Sequence, residues 1–169
     1  MKRLILIFLI TPLVMYAQEK ARATLQFAIN GEIEKATVIT LDSLKQYKSV
    51  EIGDIKVTDH LGNFKHQDDK LKGVLLKDVL SHSKYKAASP KLLSRFYFIC
   101  EASDGYKVVY SWNELYNTAV GNQVYIITEK NGIMAEKMPE SLQMTSASDF
   151  KTGRRYLHNL TRIEVKQVN

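Results

Sequence analysis

FICEASDGYKVVYSWNELYN, residues 98–117, is the stretch from which the fold of this chain is read. With Phe96 just before it, Phe98, Cys100 and Ala102 fall on one side of an alternating run and Tyr97, Ile99 and Glu101 on the other, the period of a strand with one face in a core. Asp104-Gly105 then supplies a tight turn: glycine tolerates positive φ, and the aspartate can accept hydrogen bonds from nearby backbone N–H groups. A second strand follows. It ends at Ser111-Trp112-Asn113-Glu114, the Ser-x-x-Glu spacing of a capping box, where hydroxyl and carboxylate each satisfy a free backbone N–H. The segment therefore predicts strand, turn, strand and short capped helix.

Upstream, Thr24 to Ile29 and Lys35 to Ile39 are rich in β-branched and apolar residues and predict a hairpin turning at Asn30-Gly31. Thr40 to Ser43 offers an N-cap to a short helix through Leu44. Val50, Ile52, Ile55 and Val57 mark a strand, with Gly53 as a candidate bulge, and Asp59 to Asn63 reads as a turn. In GVLLKDVL, Gly73 to Leu80, the residues Leu76, Val79 and Leu80 share one helical stripe. Downstream, Val124 to Ile127 is apolar throughout, as in a strand buried on both faces. Asn131-Gly132 is a further turn, Leu142 to Thr145 a further strand, and the last strand directs Ile163 and Val165 inward. Strands outnumber the short helices and do not alternate regularly with them, so the fold class is α+β, mostly β.

The first residues, Met1-Lys2-Arg3, precede an apolar run from Leu4 to Ile10 and then Tyr16-Ala17-Gln18. This pattern predicts a signal peptide over residues 1–17, cleaved after Ala17, and a protein exported to the periplasm or secreted. The run is well short of the roughly 20 apolar residues a span requires, so the chain is not expected to cross a membrane. Residues 18–169 are about 150 in number, the size of one domain. The chain carries 24 basic and 18 acidic residues, a net charge of +6 that falls to about +4 without Lys2 and Arg3. Its lysines are scattered rather than blocked together, which argues against nucleic-acid binding and leaves a small anionic ligand or a protein partner. Cys100 is the only cysteine, so no intrachain disulfide can form.

The order and spacing of residues 98–117, of GVLLKDVL and of GRRYLHNLTRIEV (Gly153 to Val165) resemble the molybdopterin-binding domain of the sulfite oxidase family. The resemblance spans roughly Val38 to Val165. It implies a mixed, mostly β sheet or barrel architecture with short helices, and molybdopterin as the cofactor if one is bound. Catalytic members ligate the metal with a cysteine upstream of the helix matched by GVLLKDVL. Here Val50 to His66 contains no cysteine, and Cys100, beside Phe96 and Phe98, reads as a small core residue. Gln143 stands where members commonly have an arginine, and Leu157-His158-Asn159 where they read Val-Lys-Trp. The expectation is accordingly that no cofactor is bound.

The residues left to form a pocket are Asp104 and Tyr106 at the Asp-Gly turn with Arg154, Arg155 and His158, the last one helical turn after Arg154 if that segment is helical. Such a group suits a phosphate or carboxylate through charge-assisted hydrogen bonds, and Arg155→Ala is expected to impair binding while the fold survives. His60, His66, His82 and His158 have no zinc spacing. Three functional readings follow: a binding module on this fold without the metal ligand, a molybdopterin-dependent oxidoreductase with an atypical metal site, and a structural or assembly component.

Overall fold

The alternation around Cys100 becomes a strand whose every second side chain is buried. The computed structural model describes residues 23–168; the expected signal peptide and cleavage point lie outside the described residues. A first sheet is built from β1 (Gln26–Gly31), β2 (Thr37–Thr40), β5 (Phe96–Ala102), β6 (Lys107–Ser111) and β10 (Leu160–Gln167), in the order β2-β1-β10-β5-β6. Only β1 and β10 pair in parallel. The second sheet contains β3 (Val50–Thr58), β4 (Phe64–Leu75), β7 (Val124–Lys130) and β8 (Ile133–Met134), with β9 (Gln143–Ser146) also on β7. Among the described residues three short α-helices, α1 (Leu41–Leu44), α2 (Leu76–Leu80) and α3 (Trp112–Tyr116), and four 3₁₀ turns complete the order.

The two sheets are open rather than closed into a barrel, and both contribute to one continuous hydrophobic cluster. Phe96, Phe98, Cys100 and Ala102 face into it, as do Ile163 and Val165 from β10 and Phe27 and Ile29 from β1. Each fully buried Phe or Ile contributes about 1.5–3 kcal/mol relative to exposure. Val124 to Ile127 is buried throughout, with β7 paired to β4 on one side and to β9 on the other. Leu76, Val79 and Leu80 are all buried, as the helical stripe requires. No helix among the described residues is long and apolar enough to cross a membrane.

Three local expectations need correction. The β1–β2 pairing is present, but β1 runs on through Gly31 and the turn is longer than Asn30-Gly31 alone, because Gly31 pairs with Val165 and the next residue donates its N–H to the Val165 carbonyl. Ser111 caps α3 by accepting from the Glu114 N–H at 3.0 Å, yet the Glu114 carboxylate turns to Arg155 instead of closing the box. Residues 152–155 form a 3₁₀ turn that stops at Arg155, so His158 is not one helical turn from Arg154. Leu157 instead exchanges two backbone hydrogen bonds with Met144, at 2.8 and 2.9 Å. Gly53, at φ 84°, is the expected bulge, with the β3–β4 register shifting on both sides of it.

Candidate functional site

Where β3 ends, Asp59 closes the turn that sequence reading expected. Its Oδ1 accepts from the N–H groups of Leu61, Gly62 and Asn63 at 2.8, 2.8 and 2.9 Å, and Oδ2 accepts from Asn63 Nδ2 at 3.0 Å. The Asn63 side-chain amide, aided by the three backbone donors, holds the Asp59 carboxyl down to about 2. A depressed carboxyl favours the folded turn above the ordinary carboxylate range, and that support is lost as pH falls through about 2.

The turn is then tied to a distant segment. Thr152 Oγ1 donates to the Lys56 carbonyl at 2.7 Å and accepts from the Thr58 N–H at 3.1 Å. Gly153 packs so closely on the Thr58 carbonyl that a Cβ there would lie 1.8 Å from the oxygen. Gly153→Ala is expected to force the two segments apart and cost about 2 kcal/mol; an unchanged melting temperature would contradict this packing. Arg154 Nη2 donates to the His60 carbonyl at 3.0 Å, and Tyr106, presented by the Asp104-Gly105 turn, donates its hydroxyl to the Arg154 carbonyl at 2.6 Å.

These ties enclose a cleft of about 370 Å³ between the β3–β4 turn, the β5–β6 turn and residues 153–158. Of the expected site residues, Asp104, Tyr106 and His158 line it, and Arg154 borders it through the His60 carbonyl. Arg155 does not join them. Its guanidinium binds Asp149 with two N–H groups, at 2.7 and 2.5 Å, reaches Glu114 at 2.5 Å and lies 4.6 Å above the Tyr110 ring. Sequence reasoning missed Thr58, His60, Lys65 and His66, which also line the cleft. Three of the four histidines thus meet from positions up to 98 residues apart, with no local spacing to announce it. Among the described residues no three His, Cys, Asp or Glu side chains are arranged to hold a metal ion. The Thr58 hydroxyl is buried and has no hydrogen-bond partner among the described residues.

Beneath the cleft lies a polar network. Asp68, 5 % exposed, has its Oδ2 2.5 Å from the Tyr156 hydroxyl and its Oδ1 3.3 Å from Lys130 Nζ. Gln143 accepts from Lys130 at 3.3 Å and from the Tyr156 hydroxyl at 3.2 Å, while its own amide donates to the Glu140 carbonyl at 2.6 Å. Burial, with the Asp68 carboxylate adding to it, pushes the Tyr156 phenol well up, so it remains a neutral donor. The His158 ring stacks on Tyr156 at 4.8 Å with Nδ1 2.7 Å from Glu140 Oε2. Burial nonetheless lowers the His158 pKa, outweighing the Glu140 carboxylate. The shift runs against this imidazole supplying a fixed cation to the cleft.

The residues present do not fit a thiolate-held molybdopterin centre. Cys100 is completely buried in β5, opposite Val108 and Ile163, and burial pushes its thiol up to about 12. The Gln143 amide is consumed inside the network, and the Arg155 guanidinium is consumed by two carboxylates. What the cleft offers is three imidazoles and the Lys65 ammonium, donors for a small anion, beside the carboxylates of Asp59 and Asp104, which already accept backbone N–H groups.

No family model matches the chain, and no curated protein matches it. Among solved structures, it is similar to the sulfane dehydrogenase SoxCD from Paracoccus pantotrophus, with a TM-score of 0.59 at 14% sequence identity, over 85% of this chain and 39% of that one. The chain therefore spans about two fifths of that protein's length. At this identity the likeness is one of fold alone.

Proposed function

We propose that this chain is an exported binding module that uses a sulfite oxidase-like fold, without its metal-ligating cysteine, to hold a small oxyanion or carboxylate in the cleft. The observation that carries this reading is the convergence of Lys65, His60 and His66, from both sides of the β3–β4 turn, on one cleft with His158. The Asp59 carboxylate keeps its negative charge and opposes an anion, but both its oxygens are turned to N–H donors of its own turn.

Calorimetric titration with phosphate, sulfate and citrate tests the reading. Lys65→Ala removes one charge-assisted hydrogen bond, worth about 1.5–3 kcal/mol, and should weaken the bound anion roughly ten- to hundred-fold with the melting temperature unchanged. Absence of binding by all three anions at millimolar concentration, or binding that survives Lys65→Ala unchanged, would overturn it.

A second reading, a molybdopterin-dependent oxidoreductase with an atypical metal site, draws support from the fold likeness to a dehydrogenase. Molybdenum and pterin content of protein from a host that makes the cofactor separates the two. Near-stoichiometric cofactor would favour the enzyme; a folded sample without it leaves the binding module.

A further inference from the structure

Isolated apolar side chains are common on protein surfaces, but three on two adjoining loops form a patch that calls for a partner. Leu61 is 65% exposed, Phe64 63% and Phe150 fully exposed. Leu61 and Phe64 belong to the Asp59 turn and the first residue of β4; Phe150 belongs to the loop before the 3₁₀ turn. The loops are held together. Lys151 packs beside Gly62, where a Cβ would be 3.6 Å from its Cε, and Arg154 bonds the His60 carbonyl. Both loops are therefore fixed by the same contacts that close the cleft, and neither needs to fold on binding.

The surrounding charge is basic in balance. Lys65, Lys151 and Arg154 sit on these segments; Asp149 is paired with Arg155, and the Asp59 carboxylate is turned inward to the N–H groups of its own turn and Asn63. The apolar groups protrude rather than line a recess. Phenylalanine and leucine projecting from a basic surface match the acyl boundary and the anionic headgroups of a lipid leaflet, which yields around an inserted side chain as a packed protein surface does not.

We infer that the paired loops carrying Leu61, Phe64 and Phe150 form a site that docks this protein on an anionic lipid surface. The site adjoins the cleft through His60 and Lys65, the chain neighbours of Leu61 and Phe64 that line it, but it does not depend on what the cleft binds.

The test uses residues 18–169, which retain every element of both sheets and omit the apolar leader that would bind lipid by itself. Co-sedimentation is measured with vesicles of mixed phosphatidylglycerol and phosphatidylcholine and with vesicles of phosphatidylcholine alone. Binding to the anionic vesicles is expected, with at least about tenfold loss for the Leu61→Ser, Phe150→Ser double variant. Lys151→Glu, which lies outside the cleft lining, should lose roughly fivefold or more, and added salt should weaken the wild type. No sedimentation with anionic vesicles at low salt would overturn the inference, as would equal binding to the neutral vesicles. Wild-type behaviour of both variants would overturn it as well, and a protein partner for the patch would then take its place.

Discussion

Arg155→Ala is expected to lower stability by about 3 kcal/mol, the lower end of the range for removing one partner from a buried ion pair. The arginine and its two carboxylates are partly shielded: the side chains of Arg155, Asp149 and Glu114 are 21%, 15% and 28% exposed. Its fork meets Asp149 with two parallel hydrogen bonds, the geometry that arginine supplies and lysine does not. The Asp149 hydrogen bond leads the effects that raise the Arg155 pKa further, so the charge is secure at any working pH. Alanine would leave two carboxylates near each other and the completely buried Tyr110 ring without the cation above it. For a domain of this size the loss corresponds to a fall in Tm of roughly 6–12 °C. Arg155→Lys should recover part of it. Urea unfolding and anion titration of the folded variant together decide its role. Lost stability with retained binding fits the ion pair seen here, whereas retained stability with lost binding would return Arg155 to the cleft, as the sequence alone suggested.

That contrast shows where sequence reading stops. The inward face of β5, the bulge at Gly53, the cap at Thr40 and the doubly buried β7 were legible because each follows from a local period or a local hydrogen bond. Thr40 Oγ1 accepts from the Ser43 N–H, three residues away, and nothing beyond that turn is needed to foresee it. Arg154 and Arg155 are adjacent in sequence and were read as one cluster, but they leave the 3₁₀ turn toward different partners. Arg154 reaches His60, 94 residues upstream, and Arg155 reaches Glu114, 41 residues upstream. The same holds for the cleft. His60, His66 and His158 come together only because Thr152 and Gly153 clamp the end of β3, a contact with no signature in either segment. The expected helical relation of Arg154 and His158 failed for a related reason: the edge of β9 offered Leu157 two backbone hydrogen bonds and complete burial, more than another turn of an exposed 3₁₀ segment would provide.

Cys100 is expected to resist thiol reagents in the native protein far more strongly than any electrostatic tuning would allow. With its thiol pushed up to about 12 by burial, the thiolate fraction at pH 8 is about three orders of magnitude below that of an ordinary cysteine. The side chain is also sealed, with no exposed surface, inside the pairing of β5 with β6 and β10. A reagent can therefore reach it only when that pairing opens, and because these are central core strands the opening approaches global unfolding. Modification by a disulfide reagent at pH 8 should consequently be about a thousandfold or more slower than for the chain in denaturant, where the full equivalent reacts at once. Sub-denaturing urea should accelerate it in step with the unfolding equilibrium. Rapid labelling of the folded protein would mean that Cys100 reaches solvent, and a thiolate available to a metal would have to be reconsidered. Slow labelling leaves the cleft without a thiolate ligand, because this chain has no second cysteine to supply one. Cys100→Ala then provides the complement: it removes the thiol without placing a polar group in the core, costs about 1 kcal/mol, and should leave anion titration of the cleft unchanged.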